Sequence, residues 1–328
     1  MNHLAGRRRR EFGEIRKIQV TGGSTFIVSL PKHWVTNAGL HPGDSIVVYA
    51  QNDNTLLLMP LKEASKRKEV TLGIKNKEWS IDRAVRMLVA SYVAGGDIVK
   101  LVVKDGTAPI EDKKILRDFI NVEELKIINI LQRMHKLVWS MIKDTITAFL
   151  NLDKDLARDV IMRDDEIDRF YFLFIRQLNL SLQDRRIMID VGLEEPADAI
   201  NLAMVARNVE RIADHTAYIS DKIIKLTKKP YDPLKSKIEE LTKAVIEVFN
   251  EAMNALYSMN DNMALRAIER ATKYMGLEEE IERIVSTVSA TDKDTPLLRL
   301  IIERLRGMLV DAEDIAEHTM DMIAIRKR

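Results

Sequence analysis

The sequence predicts a multidomain α+β protein: a small β unit in front, a short α/β connector, and a mainly α back built as a tandem of two three-helix bundles. Three observations predict it. The stretch "VERIADHTAYISDK" (209–222) is echoed about a hundred residues later by "AEDIAEHTMDMIAI" (312–325), and Glu210, Ile212, Ala213, His215 and Thr216 recur as Glu313, Ile315, Ala316, His318 and Thr319. Residues 15–60 read as short strands punctuated by glycine and proline turns. Residues 69–103 read as strand, helix, strand. The expected segments are 1–61, 62–121, 122–228 and 229–328.

Composition narrows the function classes. With 31% charged and 46% apolar residues, the 328-residue chain can bury a core in water. No apolar run approaches the roughly 18 residues of a membrane span, so no membrane insertion is expected. The start "MNHLAGRRRREFGE" lacks the apolar stretch of a secretory leader, which gives a cytoplasmic expectation. The absence of cysteine removes disulfides, thiolate metal sites and cysteine catalysis. Charge is unevenly spread. Residues 1–61 carry seven Lys/Arg against four Asp/Glu, while residues 234–328 carry fourteen against eighteen.

In the front unit, "IRKIQV" (15–20) and "TFIVSL" (25–30) flank the turn "TGGS". Pro31 opens a short helix that Gly39 closes. "SIVVYA" (45–50) and "TLLLMP" (55–60) complete the strands. So small a unit buries too little surface to stand alone, which points to a homodimer. The stretch "LPKHWVTNAGLHPGD" (30–44), with "RKIQVTGGSTFIVS" before it, resembles the AbrB/MazE-type swapped-hairpin domain. The resemblance implies two chains interleaving hairpins into one β-barrel. It also implies DNA contact through Arg16, Lys17 and Lys32, to which the basic arm Arg7, Arg8, Arg9 and Arg10 adds phosphate-binding charge. The alternative is a front that only dimerises.

In the middle, Ser80 caps a helix over 80–96 that ends in two glycines, and a further helix is expected over 110–120. The glycine pair lies at the wrong end of its helix for a phosphate loop. A connector or dimer-supporting role follows, with a small-ligand sensor as the alternative.

The back repeats its landmarks. Asn121 and Glu124 form a capping box opening a helix from 122 to about 150, and a second follows over 151–182. The third runs from Pro196 to about Lys228. After "TKKPYDPLKS" the order returns, with helices at 234–258, 261–289 and Pro296–325. Acidic clusters "RDDEIDR" (163–169) and "LEEEIER" (277–283) sit in the two second helices and read as counterparts.

On the third helices Glu210 and Asp214 lie four apart on one face, beside the apolar seam, as do Glu313 and Glu317, with Asp321 extending the row. Asp164 with Asp168 and Glu278 with Glu282 repeat the spacing. Like charges four apart repel by a few tenths of a kcal/mol. Either neighbouring arginines (Arg207, Arg211, Arg283, Arg304) offset this, or a metal ion does. Oxygen-rich clusters suit Mg, Mn, Fe or Zn. His215 and His318 follow the acidic positions directly, but adjacent helical positions point about 100° apart, so helix packing or capping is favoured for them over a ligand role. The carboxylates are expected to face outward.

"ARNVERIADHTAYISDKI" and "LVDAEDIAEHTMDMI" resemble the paired signature helices of the PhoU family of phosphate-uptake regulators, over roughly 122–328. The resemblance implies a tandem of three-helix bundles with E/D-x-x-x-D motifs, and iron or zinc at Glu210, Asp214, Glu313 and Glu317. The second copy departs from the pattern, with Asp314 where the first has Arg211 and Glu317 where it has Asp214. Joined to the front, the chain is similar to fused PhoU-like regulators of archaea. The expected function is a dimeric regulator of phosphate uptake that binds operator DNA and docks on the transporter ATPase or a signalling partner. The alternative is an adaptor that does not bind DNA. No P-loop, G-x-S-x-G or H-E-x-x-H occurs, and no Glu-x-x-His pair stands on the repeated helices, so no enzyme is expected. No phosphate cradle is visible, which favours sensing through a partner.

Overall fold

The computed structural model describes residues 13–50, 54–61, 68–75, 80–104, 126–287 and 292–327. Arg7–Arg10, the Asn121/Glu124 capping box and the helix expected over 110–120 lie outside these. The chain divides into two compact units, 1–66 and 67–328.

In the first unit, β1 (Gln19–Thr21) and β2 (Thr25–Ile27) pair antiparallel, with Val20 opposite Phe26. α1 (Lys32–Asn37) starts after Pro31, and Gly39 leaves it at φ 64°, a left-handed conformation that costs glycine nothing. β3 (Ile46–Ala50) and β4 (Leu56–Pro60) form a second antiparallel pair. The apolar side chains of β1 and β2 stand in solvent, and those of β3 and β4 are at most half-buried. Ile18, just before β1, and Phe26 are each 72% exposed and Leu56 65%. An alternating strand pattern with no covered face is half of a core.

In the second unit, β5 (Glu69–Lys75) and β6 (Ile98–Lys104) pair in parallel, with α2 (Ile81–Val93) as the crossover. Ser80 accepts from the Arg83 amide at the start of α2. The first bundle comprises α3 (Ile127–Asn151), α4 (Lys154–Ser181) and α6 (Asp198–Lys225), with a short α5 (Arg185–Asp190) before α6. The second comprises α7 (Leu234–Ser258), α8 (Asp261–Tyr274), α9 (Leu277–Ser286) and α10 (Thr295–Arg326). α6 and α10 pack on each other, and one core that includes Phe149, Phe174 and Phe249 runs through both bundles. Full burial of each such ring is worth about 1.5–3 kcal/mol.

Three features correct the sequence reading. The expected helix over 261–289 breaks at Gly276 into α8 and α9. α5, capped by Asp184 accepting from the Arg186 amide, was not expected, because its six residues are too few for a periodic pattern. "LEEEIER" is not the counterpart of "RDDEIDR". Both bundles turn from first to second helix in the same way: Leu152 and Met259 are left-handed, and Asp153 and Asn260 are the N-caps that follow. Counting on from these caps, Asp164 corresponds to Ala271 and Asp168 to Met275, while "LEEEIER" lies beyond the break.

Candidate functional site

The features that place four carboxylates together are local. Asp153 fixes the start of α4 by accepting from the amides of Asp155 and Leu156. Asp164 and Asp168 then share the α4 face that packs on α6, where Glu210 and Asp214 share the facing side. Glu210 is only 6% exposed, so the expectation that these carboxylates face outward fails for it, while Asp214 remains exposed. The reason is that α4 lies over this side of α6.

The electrostatics follow from burial and like charge. Burial, then Asp214, Asp168 and Asp165, push the Asp164 carboxyl up to about 7. Burial and Asp214 push Glu210 up to about 7, with Arg207 opposing. Burial raises Asp168, with Asp214 and Asp165 adding to it, and burial raises Asp214 against Arg207, His215 and Arg211. Among the described residues the direct counter-charge is Arg207, whose Nη1 lies 2.8 Å from Glu210 Oε1. Asp164 Oδ1 and Glu210 Oε2 are buried without a hydrogen-bond partner. As placed, no three carboxylate or imidazole groups among the described residues close to metal-holding spacing. The donor chemistry nevertheless fits a hard or borderline cation, since two buried oxygens lack partners and the excess charge is negative.

The second bundle is different. Burial and the charges of Glu317 and Asp314 raise Glu313, and a hydrogen bond with Thr272 of α8 opposes them. Glu317 and Asp321 are exposed. Glu278 pairs with Arg306 at 2.9 Å and Glu282 with Arg299 at 3.5 Å. Arginines of α10 thus supply the charge that the first bundle lacks.

Two clusters escaped the sequence reading. Asp311, fully buried at the α6–α10 contact, lies 3.0 Å from Arg211 Nη2 and 3.2 Å from His215 Nε2. A Cβ on Gly307 would stand 2.8 Å from His215 Nε2, so that helical glycine was the available signal of close approach. His215 thus packs against Gly307 and faces the Asp311 carboxylate across this contact. The second cluster is built on Arg176, buried in α4. It donates to the carbonyls of Tyr92 and Gly96 at 2.7 and 2.8 Å and to Asp97 Oδ1 at 2.7 Å. Asn179 donates to the Val93 carbonyl, and the β5–α2–β6 unit is thereby fastened to α4.

In the front unit Lys17 and Lys32 are exposed. Arg16 is held by Glu14, which also lies 3.4 Å from His33.

Comparison with known proteins fits this architecture. Residues 131–223 match the PhoU domain, and residues 19–66 match the family described as antidote-toxin recognition MazE, bacterial antitoxin. A phosphate-specific transport system accessory protein PhoU homolog of Caulobacter vibrioides is 30% identical over 34% of this chain and 46% of its own length. The homolog from Pseudomonas putida is 28% identical over 50% of this chain and 66% of its own. The chain thus spans about half the length of the first of these relatives. The crystal structure of PhoU from Pseudomonas aeruginosa superposes with a TM-score of 0.52 at 18% identity, covering 62% of this chain and 96% of that one, a likeness of fold. Among the described residues, no helix is long and apolar enough to cross a membrane.

Proposed function

We propose that this protein is a dimeric, non-enzymatic regulator of phosphate uptake whose front binds DNA and whose helical back reads phosphate status by docking on the transporter ATPase or a signalling partner. The observation that carries the reading is the union, in one chain, of a MazE-type strand unit and a PhoU-type bundle with a cluster of under-compensated carboxylates. The exposed apolar faces of β1–β4 support a second copy of the chain as the cover of the front unit. Asp164, Asp168, Glu210 and Asp214 would hold a divalent or ferric ion, whose charge would offset theirs and tie α4 to α6. Glu313 and Glu317 are the weaker candidates in the second bundle.

A second reading, in which the front only dimerises, draws on Glu14, which neutralises Arg16 and approaches His33. One experiment separates the two. Fluorescence anisotropy with DNA from upstream of phosphate-transport genes is run across a salt series, with wild type beside a variant carrying Ala at Arg7–Arg10, Arg16 and Lys17. Specific binding that weakens steeply with salt and disappears in the variant supports the regulator. No binding by folded wild type, with and without added metal, leaves the adaptor.

A further inference from the structure

α2 meets α4 closely at one end. Arg176 and Asn179 hold the C-terminal carbonyls of α2, and Gly95 comes so near Leu180 that a Cβ would lie 2.7 Å from its Cδ2. The remainder of α2 leaves a groove of about 520 Å³ against α4. Val85, Val89 and Val93 line it from α2, and Tyr171, Phe172 and Ile175 line it from α4. All six are only half-buried. Val85, Val89 and Val93 recur every four residues, and Ile175 lies one turn beyond Tyr171 and Phe172, so each helix turns an apolar stripe toward the gap. From Asp82 to Val93 the groove runs about 16 Å, room for three turns of another helix.

The charge at this groove has one sign in excess. Arg86 is held by Asp82 at 3.0 Å, and Arg207 by Glu210 at 2.8 Å. Asp168, which lines the groove, and its neighbours Asp164 and Asp214 have no ion pair among the described residues. Arg207 acts on Asp168 and Asp214 from further off without pairing directly with either, so an apolar floor lies beside carboxylates in excess, which is complementary to an amphipathic helix bearing a cation.

We propose that the α2–α4 groove is the docking surface for an amphipathic helix of a partner protein, one that seats apolar side chains between α2 and α4 and sets a lysine or arginine against Asp168. This deepens the reading of a partner-docking regulator and rests on it. It gives the β5–α2–β6 unit a purpose, because α2 forms one wall of the site. A metal at the carboxylates and a basic residue on the partner would offset the same charge, so the two compete.

The test uses the full chain, a chelator, and a fluorescein-labelled helical peptide of about 15 residues with leucines at i, i+3, i+4 and i+7 and flanking lysines. Wild type is expected to bind it, and Ala90→Arg, which fills the groove from an exposed position on α2, is expected to bind at least about tenfold more weakly. Asp168→Asn should bind more weakly with a shallower salt dependence. Met162→Arg, exposed on α4 and not lining the groove, should match wild type, with circular dichroism confirming that each variant is folded. A peptide with glutamate in place of lysine should not bind. The proposal is overturned if wild type fails to bind, if Ala90→Arg binds as wild type does, or if the glutamate peptide binds equally well. If Ala90→Arg keeps phosphate-dependent control in cells, the groove assignment falls and the regulator stands. If the peptide binds as expected but deleting the chain leaves phosphate uptake unchanged, the regulatory reading falls and the surface stands.

Discussion

The two bundles share a fold and a signature phrase, yet among the described residues the first gathers under-compensated carboxylates from two helices, while in the second Lys237 stands between Glu240 and Glu280. Glu210 and Asp214 meet Asp164 and Asp168 across the α4–α6 contact. At the corresponding places in the second bundle stand Ala271 and Met275, and Ala271 is buried in the core. The acidic phrase of that region lies in α9 instead, where Arg306 meets Glu278 and Arg299 meets Glu282. A carboxylate pair on one helix is therefore not a site. The facing helix decides whether the charge is compounded or cancelled.

The sharpest way to break the comparison is to give the first bundle the residues of the second. Asp164→Ala with Asp168→Met should lower affinity for Mn²⁺ or Zn²⁺ by at least about 100-fold in titration calorimetry. The same change should raise the melting temperature of the chelator-treated protein, because it removes the like-charge repulsion of Asp164 and Asp168 with Asp214 and Glu210. A variant that keeps wild-type metal affinity would place the metal elsewhere.

pH sharpens the same contrast. Asp164 and Glu210 titrate at about 7 in the fold, against ordinary values of 3.8 and 4.5. Between about 4 and 7 the folded chain therefore holds more protons than the unfolded one, and this contribution to stability is lost as pH rises through about 7. Melting of the metal-free protein followed from about pH 5 to pH 8 should show this decline, and Asp164→Asn with Glu210→Gln should flatten it. Glu313→Gln should alter the profile less, since its shift has the same sign but its site is less buried. A melting temperature that climbs across this range would mean that the cluster is not desolvated.

Between the bundles, Gly307→Ala puts a Cβ against His215. Overpacking costs roughly 1–3 kcal/mol, while alanine in a helix recovers up to about 1, so a net loss of about 1 kcal/mol is expected in urea unfolding. With His215→Ala in the background the sign should reverse, because the clash is gone and the helix propensity remains.

Much of this was legible in the sequence because it rests on local periodicity. The duplicated bundle, the Ser80-capped helix and the front strands all follow from spacing and caps. The site itself was half legible. Glu210 and Asp214 carry a recognisable phrase, but their partnership with Asp164 and Asp168 depends on the register set at Leu152 and Asp153, and similarity between two acidic phrases pointed to the wrong register. Asp311 and Arg176 were illegible for a different reason. Their partners are far off in sequence, and for Arg176 they include backbone carbonyls, which carry no sequence signature.

The smallest expected effect tests the cancelled half of the comparison. Arg306→Ala removes the partner of Glu278, and both side chains are partly exposed. Exposed ion pairs contribute about 0–1 kcal/mol, so urea unfolding should show a loss in that range. The informative readout is metal binding. Freed of Arg306, Glu278 still faces α10 without a second unpaired carboxylate from α9, because Glu282 remains with Arg299. The variant should therefore gain no Mn²⁺ or Zn²⁺ affinity. If removing this one arginine did create a metal site, helix-to-helix register would not be what separates the two bundles, and arginine supply alone would be.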